Sequence, residues 1–384
     1  MRIAFLTLNA YDMLTGEGDT VGGAQLQQVL LGRELAARGH DVVFIENEGT
    51  HKDQTTVDGI RIVTQSLSSE SSRLTSALFR PYRLLSLLAE LSPDVCYVRM
   101  PLFELLPTAA YCMVSDTSLV YGFAHDSELQ GSPAYFTSRY TDNLLYRSLV
   151  NAARARADAL VVQNESQQAL ACEQYDSRVV QIYNGYPRPA RPHDDTGTDS
   201  RPVVLWVSTL RSWKRPEVVL KLADRIQEAD FVIIGPAADG QADLFKSVKA
   251  EADTRSNVRF CGFVPYNEID EYFAAADAFC NTSTSEGFPN TFLQAWAHGT
   301  PVFSLTVDPD DILSENAVGA CANGNFDVLA KSLTNYLSGL TPRTEIGGPA
   351  QIYNYFDRNH SIDAITDQYE SIFESLHGQT GIGS

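Results

Sequence analysis

The residues best fitted to do chemistry lie in Ser285-Glu286-Gly287-Phe288-Pro289-Asn290-Thr291. An apolar run, Ala278-Phe279-Cys280, leads into a polar turn from Asn281 to Gly287, and Pro289 stands where a first helical residue belongs. Its ring presets φ, and the N–H it lacks would have no helical partner there. Gly299 marks a left-handed cap, with Pro301 just beyond to stop continuation. The pattern predicts a strand and a short helix joined by a loop whose amides converge on one spot, which suits a phosphate. Glu286 stands at the mouth of that helix, and Gln294 lies two turns along it. A carboxylate beside a phosphate site is unfavourable unless it binds something else, and sugar hydroxyls are the candidate.

Glu286-Gly287-Phe288-Pro289, followed by Leu293, Ala295, Ala297, Gly299 and Pro301-Val302, resembles the E-x7-E signature of retaining family 4 glycosyltransferases, which have the GT-B fold. The resemblance implies that Glu286 contacts the donor sugar and that position 294 holds the nucleotide ribose. Gln294 departs from the family's second Glu. An amide can still bond a ribose diol, but it loses the charge-assisted bond.

The other motifs follow the same resemblance. Ser208 to Pro216 is similar to the family's Gly-Arg-Leu-x-x-x-Lys-Gly loop, whose Arg and Lys neutralise the leaving diphosphate. Lys214 falls on the Lys position and Thr209 on the Arg position, so Arg211 and Arg215 are the candidates to supply the missing charge. Gly22-Gly23-Ala24-Gln25 matches the run that opens the first domain's helix, where absent side chains let amides approach a diphosphate oxygen. The resemblance implies that Lys214, Gly23 and the helix amides at Asn290 and Thr291 carry the diphosphate without a metal. His125, in Gly122-Phe123-Ala124-His125-Asp126, takes the position that faces the donor sugar near C6. Asp126 either orients that ring or caps the next turn. Ile182-Tyr183-Asn184-Gly185 is either an Asn-Gly turn or a ligand contact. Arg259 to Pro265, including Phe263, matches a loop that holds the base by main-chain contacts and so leaves its identity unread.

These residues need a scaffold. Apolar runs at 2–8, 42–45, 60–63, 95–98, 119–121 and 160–162 read as strands, with helical segments at 24–38, 73–91 and 138–156 between them. The pattern dissolves in a Pro-rich stretch and restarts with strands at 203–207, 231–234, 258–260, 278–280 and 302–305. Strands alternating with helices predict parallel sheets covered on both faces. The expectation is an α/β GT-B chain of two Rossmann-like, doubly wound domains facing a cleft. The domains are 1–187, a linker at 188–201, a nucleotide-sugar domain at 202–350, and a segment 351–384 returning to the first domain.

Composition narrows the classes. The 384 residues carry a net charge of -19, with 44% hydrophobic residues for two cores. That balance argues against nucleic-acid binding, which draws on Lys and Arg. Lysines are few, as suits concentrated salt or simply an acidic protein. A dinucleotide fingerprint is absent: Gly16, Gly18, Gly22 and Gly23 lack its spacing, and Glu46 alone at a strand end does not make an NAD site. The six cysteines form no C-x-x-C pair, so neither a disulfide framework nor a zinc site is expected. Asp308-Pro309-Asp310 spells a metal-binding triplet but lies after the strand following the signature helix.

The start enters a strand directly and no apolar run spans a bilayer, so the expected location is cytoplasmic. The basic, amphipathic stretch with Phe79, Arg80, Arg83, Leu84 and Leu87 is either a peripheral membrane contact on the inner face or a domain helix. The resemblance thus implies a cofactor-free transferase taking a nucleoside diphosphate sugar to a glycan or lipid-linked acceptor. A GT-B epimerase or phosphorylase and a silent sugar-nucleotide binder are the alternatives.

Overall fold

A strand buried on both faces must be apolar at every position, and β1 (Arg2–Leu6) shows this. Ile3 and Phe5 enter one core while Ala4 and Leu6 enter another, all four fully buried. The computed structural model describes residues 1–384 except 8–9, 16–21, 47–53, 65–72, 101–102, 131–143, 190–200, 343 and 381–384. Gly16 and Gly18 lie outside the described residues, as does most of the expected linker. The chain divides into two units, Met1–Gly185 with Ile362–Ser384, and Tyr186–Ser361.

The first unit holds β1, β2 (Asp41–Glu46), β3 (Gln54–Val57), β4 (Ile60–Thr64), β5 (Val95–Arg99), β6 (Ser118–Gly122), β7 (Ala159–Val162) and β8 (Arg178–Gln181). Its helices are α1 (Ala10–Thr15), α2 (Gly23–Ala37), α3 (Arg73–Leu91), α4 (Leu105–Cys112), α5 (Ser127–Gln130), α6 (Leu144–Arg154) and α7 (Glu165–Gln174), joined later by α15 (Ile362–Thr380). The sheet order is β3-β4-β2-β1-β5-β6-β7-β8, parallel except where β3 pairs with β4 through an Asp58-Gly59 turn. Leu84, Leu88 and Leu91 of α3 pack into the core on one face of the sheet. The described leucines of α3 thus serve the core, as in a domain helix. Ile365, Tyr369, Ile372 and Phe373 of α15 pack into the core on the other face, with Val29, Leu31 and Leu35 of α2.

The second unit holds β9 (Val203–Val207), β10 (Asp230–Ile234), β11 (Val258–Gly262), β12 (Ala278–Asn281), β13 (Val302–Ser304) and β14 (Gly319–Cys321). They form one parallel sheet in the order β11-β10-β9-β12-β13-β14. Its helices are α8 (Pro216–Arg225), α9 (Ala242–Ala252), α10 (Ile269–Ala274), α11 (Asn290–Ala297), α12 (Ile312–Glu315), α13 (Phe326–Leu337) and α14 (Pro349–Asn359).

The segment returning to the first unit begins at Ile362 rather than 351. Residues 351–359 belong to α14, which packs on α11 with Trp296 and Tyr355 edge to face at 5.6 Å. Gly299 permits that approach, because at φ +73 a Cβ would stand 2.7 Å from the Pro349 carbonyl oxygen. No helix among the described residues is long and apolar enough to cross a membrane.

Candidate active site

In open α/β sheets ligands gather at the carboxyl ends of the strands, and the predicted residues lie there in each unit. In the second unit the chain leaves β9 through Ser208–Arg215 and leaves the adjacent β12 through residues 282–289. The two loops are tied together. The Thr282 hydroxyl donates to the Lys214 carbonyl at 2.6 Å and accepts from Trp206 Nε1–H at 2.9 Å. The Thr284 N–H donates to the Trp213 carbonyl at 2.9 Å. These bonds bring the Lys214 ammonium onto Glu286 Oε1 in an ion pair, both side chains mostly buried.

Gly235, at the end of β10, makes room beside them. With φ +153, a Cβ there would lie 1.8 Å from the Ser208 carbonyl oxygen. Thr209 is half-buried in the same turn. Of the two arginines offered for the missing charge, Arg211 lies over Trp213, its Cζ 5.1 Å from the ring centroid. Arg215 takes the left-handed conformation that starts α8 and pairs with Glu217 at 3.5 Å. Neither joins the Lys214–Glu286 pair.

Helix α11 begins at Asn290, one residue later than expected. Pro289 is its cap, with extended ψ, because the Pro289 carbonyl already accepts the Phe292 N–H at 3.1 Å. Gly287 and Phe288 are buried, Phe288 facing the His360 ring at 5.2 Å, whereas Asn290 and Thr291 are half-buried in the first turn. Gln294 is buried, and its Nε2 donates to the Tyr186 hydroxyl at 3.4 Å. Tyr186 in turn donates to Asp270 Oδ1 at 2.7 Å, and His298 Nε2, one turn beyond Gln294, lies 3.6 Å from the same oxygen. Burial opposes ionisation of Asp270, yet His298 and Tyr186 overcome it and hold the carboxyl below its ordinary range. Burial, with Tyr266 and Asp270 nearby, pushes the Tyr186 hydroxyl well up. Phe263, after Gly262 at the end of β11, is exposed. Asp308, of the Asp308-Pro309-Asp310 triplet, caps α12 by accepting the Leu313 N–H at 2.8 Å.

In the first unit, His125 follows β6. Its Nδ1 accepts the Ser127 N–H at 3.1 Å, which leaves the neutral ring's proton on Nε2. Asp126 neither orients the ring nor caps α5 with its side chain. Its Oδ1 accepts from Gln167 at 2.8 Å and Asn164 at 3.3 Å, because α7 reaches it first. What holds the His125 loop is Glu128, unread in the sequence. Its buried carboxylate accepts the Ala124 and His125 N–H groups at 2.8 and 3.3 Å, the Tyr121 hydroxyl at 2.6 Å, and Arg154 at 2.6 Å. The available signal is an acid three residues past His125, within reach of the preceding amides. Gly22 caps α2, its carbonyl accepting the Leu26 N–H at 2.9 Å, with Gly23 exposed in the first turn. Glu46, buried, accepts the Tyr11 N–H at 3.1 Å.

Known proteins agree with this architecture. Residues 201–338 match the family model for glycosyl transferases group 1, and residues 21–189 match that for glycosyltransferase family 4. An uncharacterised glycosyltransferase of Haemophilus influenzae is 20% identical over 92% of this chain and 96% of its own length. Sucrose-phosphate synthase from Thermosynechococcus elongatus has a TM-score of 0.79 at 15% identity, over 99% of this chain and all of its own. HepE of Anabaena, solved with UDP and glucose, has a TM-score of 0.72 at 17% identity, over 98% of this chain and 100% of its own. At such identities these two structures speak for the fold. With a family model on each unit, the chain is a glycosyltransferase of family 4, built as the two Rossmann-like domains of the GT-B fold.

Proposed function

We propose that this enzyme moves a hexose or N-acetylhexosamine from a nucleoside diphosphate sugar to a hydroxyl of a glycan or lipid-linked acceptor, with retention and without a divalent metal. The observation that carries the reading is the Lys214–Glu286 ion pair at the carboxyl ends of β9 and β12. A donor brings what each partner needs: its diphosphate offers oxygens to the ammonium, and its sugar hydroxyls offer donors to the carboxylate. Binding exchanges one ion pair for two better-matched contacts. As the bond from the anomeric carbon to the phosphate oxygen breaks, negative charge grows on the diphosphate, and Lys214 with the α11 amides stabilises it. HepE, of the same fold, was solved with UDP and glucose, which supports a nucleoside diphosphate donor.

A double displacement needs a carboxylate at the anomeric carbon. Glu286, engaged with Lys214, is better used holding sugar hydroxyls. The acceptor oxygen then bonds the anomeric carbon on the face the phosphate leaves, and its proton passes to the departing phosphate oxygen. Product analysis tests this directly. Glu286→Ala abolishes transfer while the variant stays folded, the wild-type linkage keeps the donor's anomeric configuration, and EDTA-treated enzyme stays active. Near-normal turnover by Glu286→Ala rejects the reading, and donor consumption without an acceptor points to an epimerase.

A further inference from the structure

Arg99, the last residue of β5, is 5% exposed, and its Nη2 donates to Asn184 Oδ1 at 2.7 Å. Its buried Nε has no partner among the described residues, and no carboxylate among them pairs with it. Burying a cation against one neutral amide is costly. Arg154, equally buried in the same unit, is paired with the Glu128 carboxylate. Thr7 follows β1 one residue past the Leu6–Val98 pairing that joins β1 to β5, so it adjoins Arg99. It is 2% exposed, and its Oγ1 is likewise unpartnered among the described residues. Both lie at the carboxyl ends of adjacent parallel strands, where this class of sheet binds ligands. The next residue, Met100, has φ +81, a strained backbone of the kind found at ligand sites.

We infer that Arg99, with Thr7 and Asn184, binds an anionic group, a phosphate or carboxylate, carried by the acceptor substrate. This rests on the transferase reading above, in which Lys214 and α11 already serve the donor's diphosphate. A neutral acceptor would not need a buried charge, whereas a guanidinium fork matches the paired oxygens of an anion.

The test is calorimetric titration of the full chain, saturated with UDP, with inorganic phosphate at constant ionic strength. Phosphate binds the wild type without displacing UDP. Arg99→Met weakens phosphate binding about tenfold or more, through the loss of charge-assisted hydrogen bonds, and Arg99→Lys falls between. Without phosphate, Arg99→Met melts no lower than the wild type, because it removes an uncompensated charge; a merely structural arginine would lower it. Absence of phosphate binding in the wild type, unchanged affinity in Arg99→Met, or competition with UDP each overturns the proposal. Should Arg99→Met not fold, Arg99→Lys and Thr7→Val decide by the same titration. Failure of UDP to bind would count against the donor reading instead, and titration in a Lys214→Met background would still test Arg99.

Discussion

The Lys214 ammonium sits on the Glu286 carboxylate although 72 residues separate them, because β9 and β12 are neighbours in the second sheet and Thr282 ties their loops together. In the proposed reaction, each partner occupies the other until a donor arrives. The two substitutions should therefore differ in sign for nucleotide binding.

Glu286→Gln lowers transfer kcat by about 100- to 1000-fold, as loss of a preorganised electrostatic contact does. It also frees the ammonium, so UDP binds up to about fivefold tighter, the worth of a partly exposed ion pair. Lys214→Met lowers kcat comparably and weakens UDP. Calorimetry beside single-turnover assays measures both, and a weaker UDP affinity in Glu286→Gln contradicts the exchange.

Gln294 is an amide for a reason visible in its neighbours. Tyr186 spends its proton on Asp270, so it presents only its oxygen to position 294. A carboxylate there could not donate, and it would add a second negative charge beside Asp270. Gln294→Glu should cost about 1–2 kcal/mol, the price of an unsatisfied buried group, and Asp270→Asn in the same chain should recover part of it. A double-mutant cycle by urea denaturation reads the coupling, and additive effects would dismiss it.

Glu128 and Arg154 form a buried pair beneath the His125 loop. Arg154→Met alone leaves a buried carboxylate and costs about 3–5 kcal/mol, whereas Arg154→Met with Glu128→Gln is far milder. Chemical denaturation of the two variants tests this order.

Asp270 makes stability depend on pH with a definite sign. Its folded carboxyl lies below the ordinary value, so its contribution is present above about pH 4 and is lost as pH falls through the lower folded value. The melting-temperature gap between wild type and Asp270→Asn should hold near neutrality and close on acidification. A gap that widens below about pH 4 would refute the assignment.

Burial pushes the Cys280 thiol up to about 12, whereas Cys172 is exposed. A maleimide at mildly alkaline pH should label Cys172 in the native protein and Cys280 only after denaturation. Mass spectrometry of the labelled peptides gives the answer.

Most of the sheet strands were legible because double burial writes itself as continuous apolar runs, as in Val42 to Ile45 and Phe231 to Ile234. β3 was missed although Asp58-Gly59 is a hairpin signal, because polar Gln54, Thr55 and Thr56 gave no apolar run. β14 is three residues, Gly-Ala-Cys, too short to carry a period. The returning segment was drawn from 351, but α14 stays with the second unit, and the chain returns only after the buried His360-Ser361, where α15 begins at Ile362. At the site, residue types and positions were readable in one dimension. Contacts such as Lys214 with Glu286, Gln294 with Tyr186, and Ala124 with Glu128 were not, since tertiary proximity sets them.

The threading of α15 has a consequence for synthesis. Strands β1 to β8 are made before the second unit, yet the surface meant for Tyr369, Ile372 and Phe373 stays bare until residues 186–361 have also been made. The later-made second unit is thus complete while the earlier one still waits for its closing helix. A nascent chain stalled near residue 361 would expose a greasy face to chaperones, and a premature stop codon there would cripple the half of the enzyme translated first.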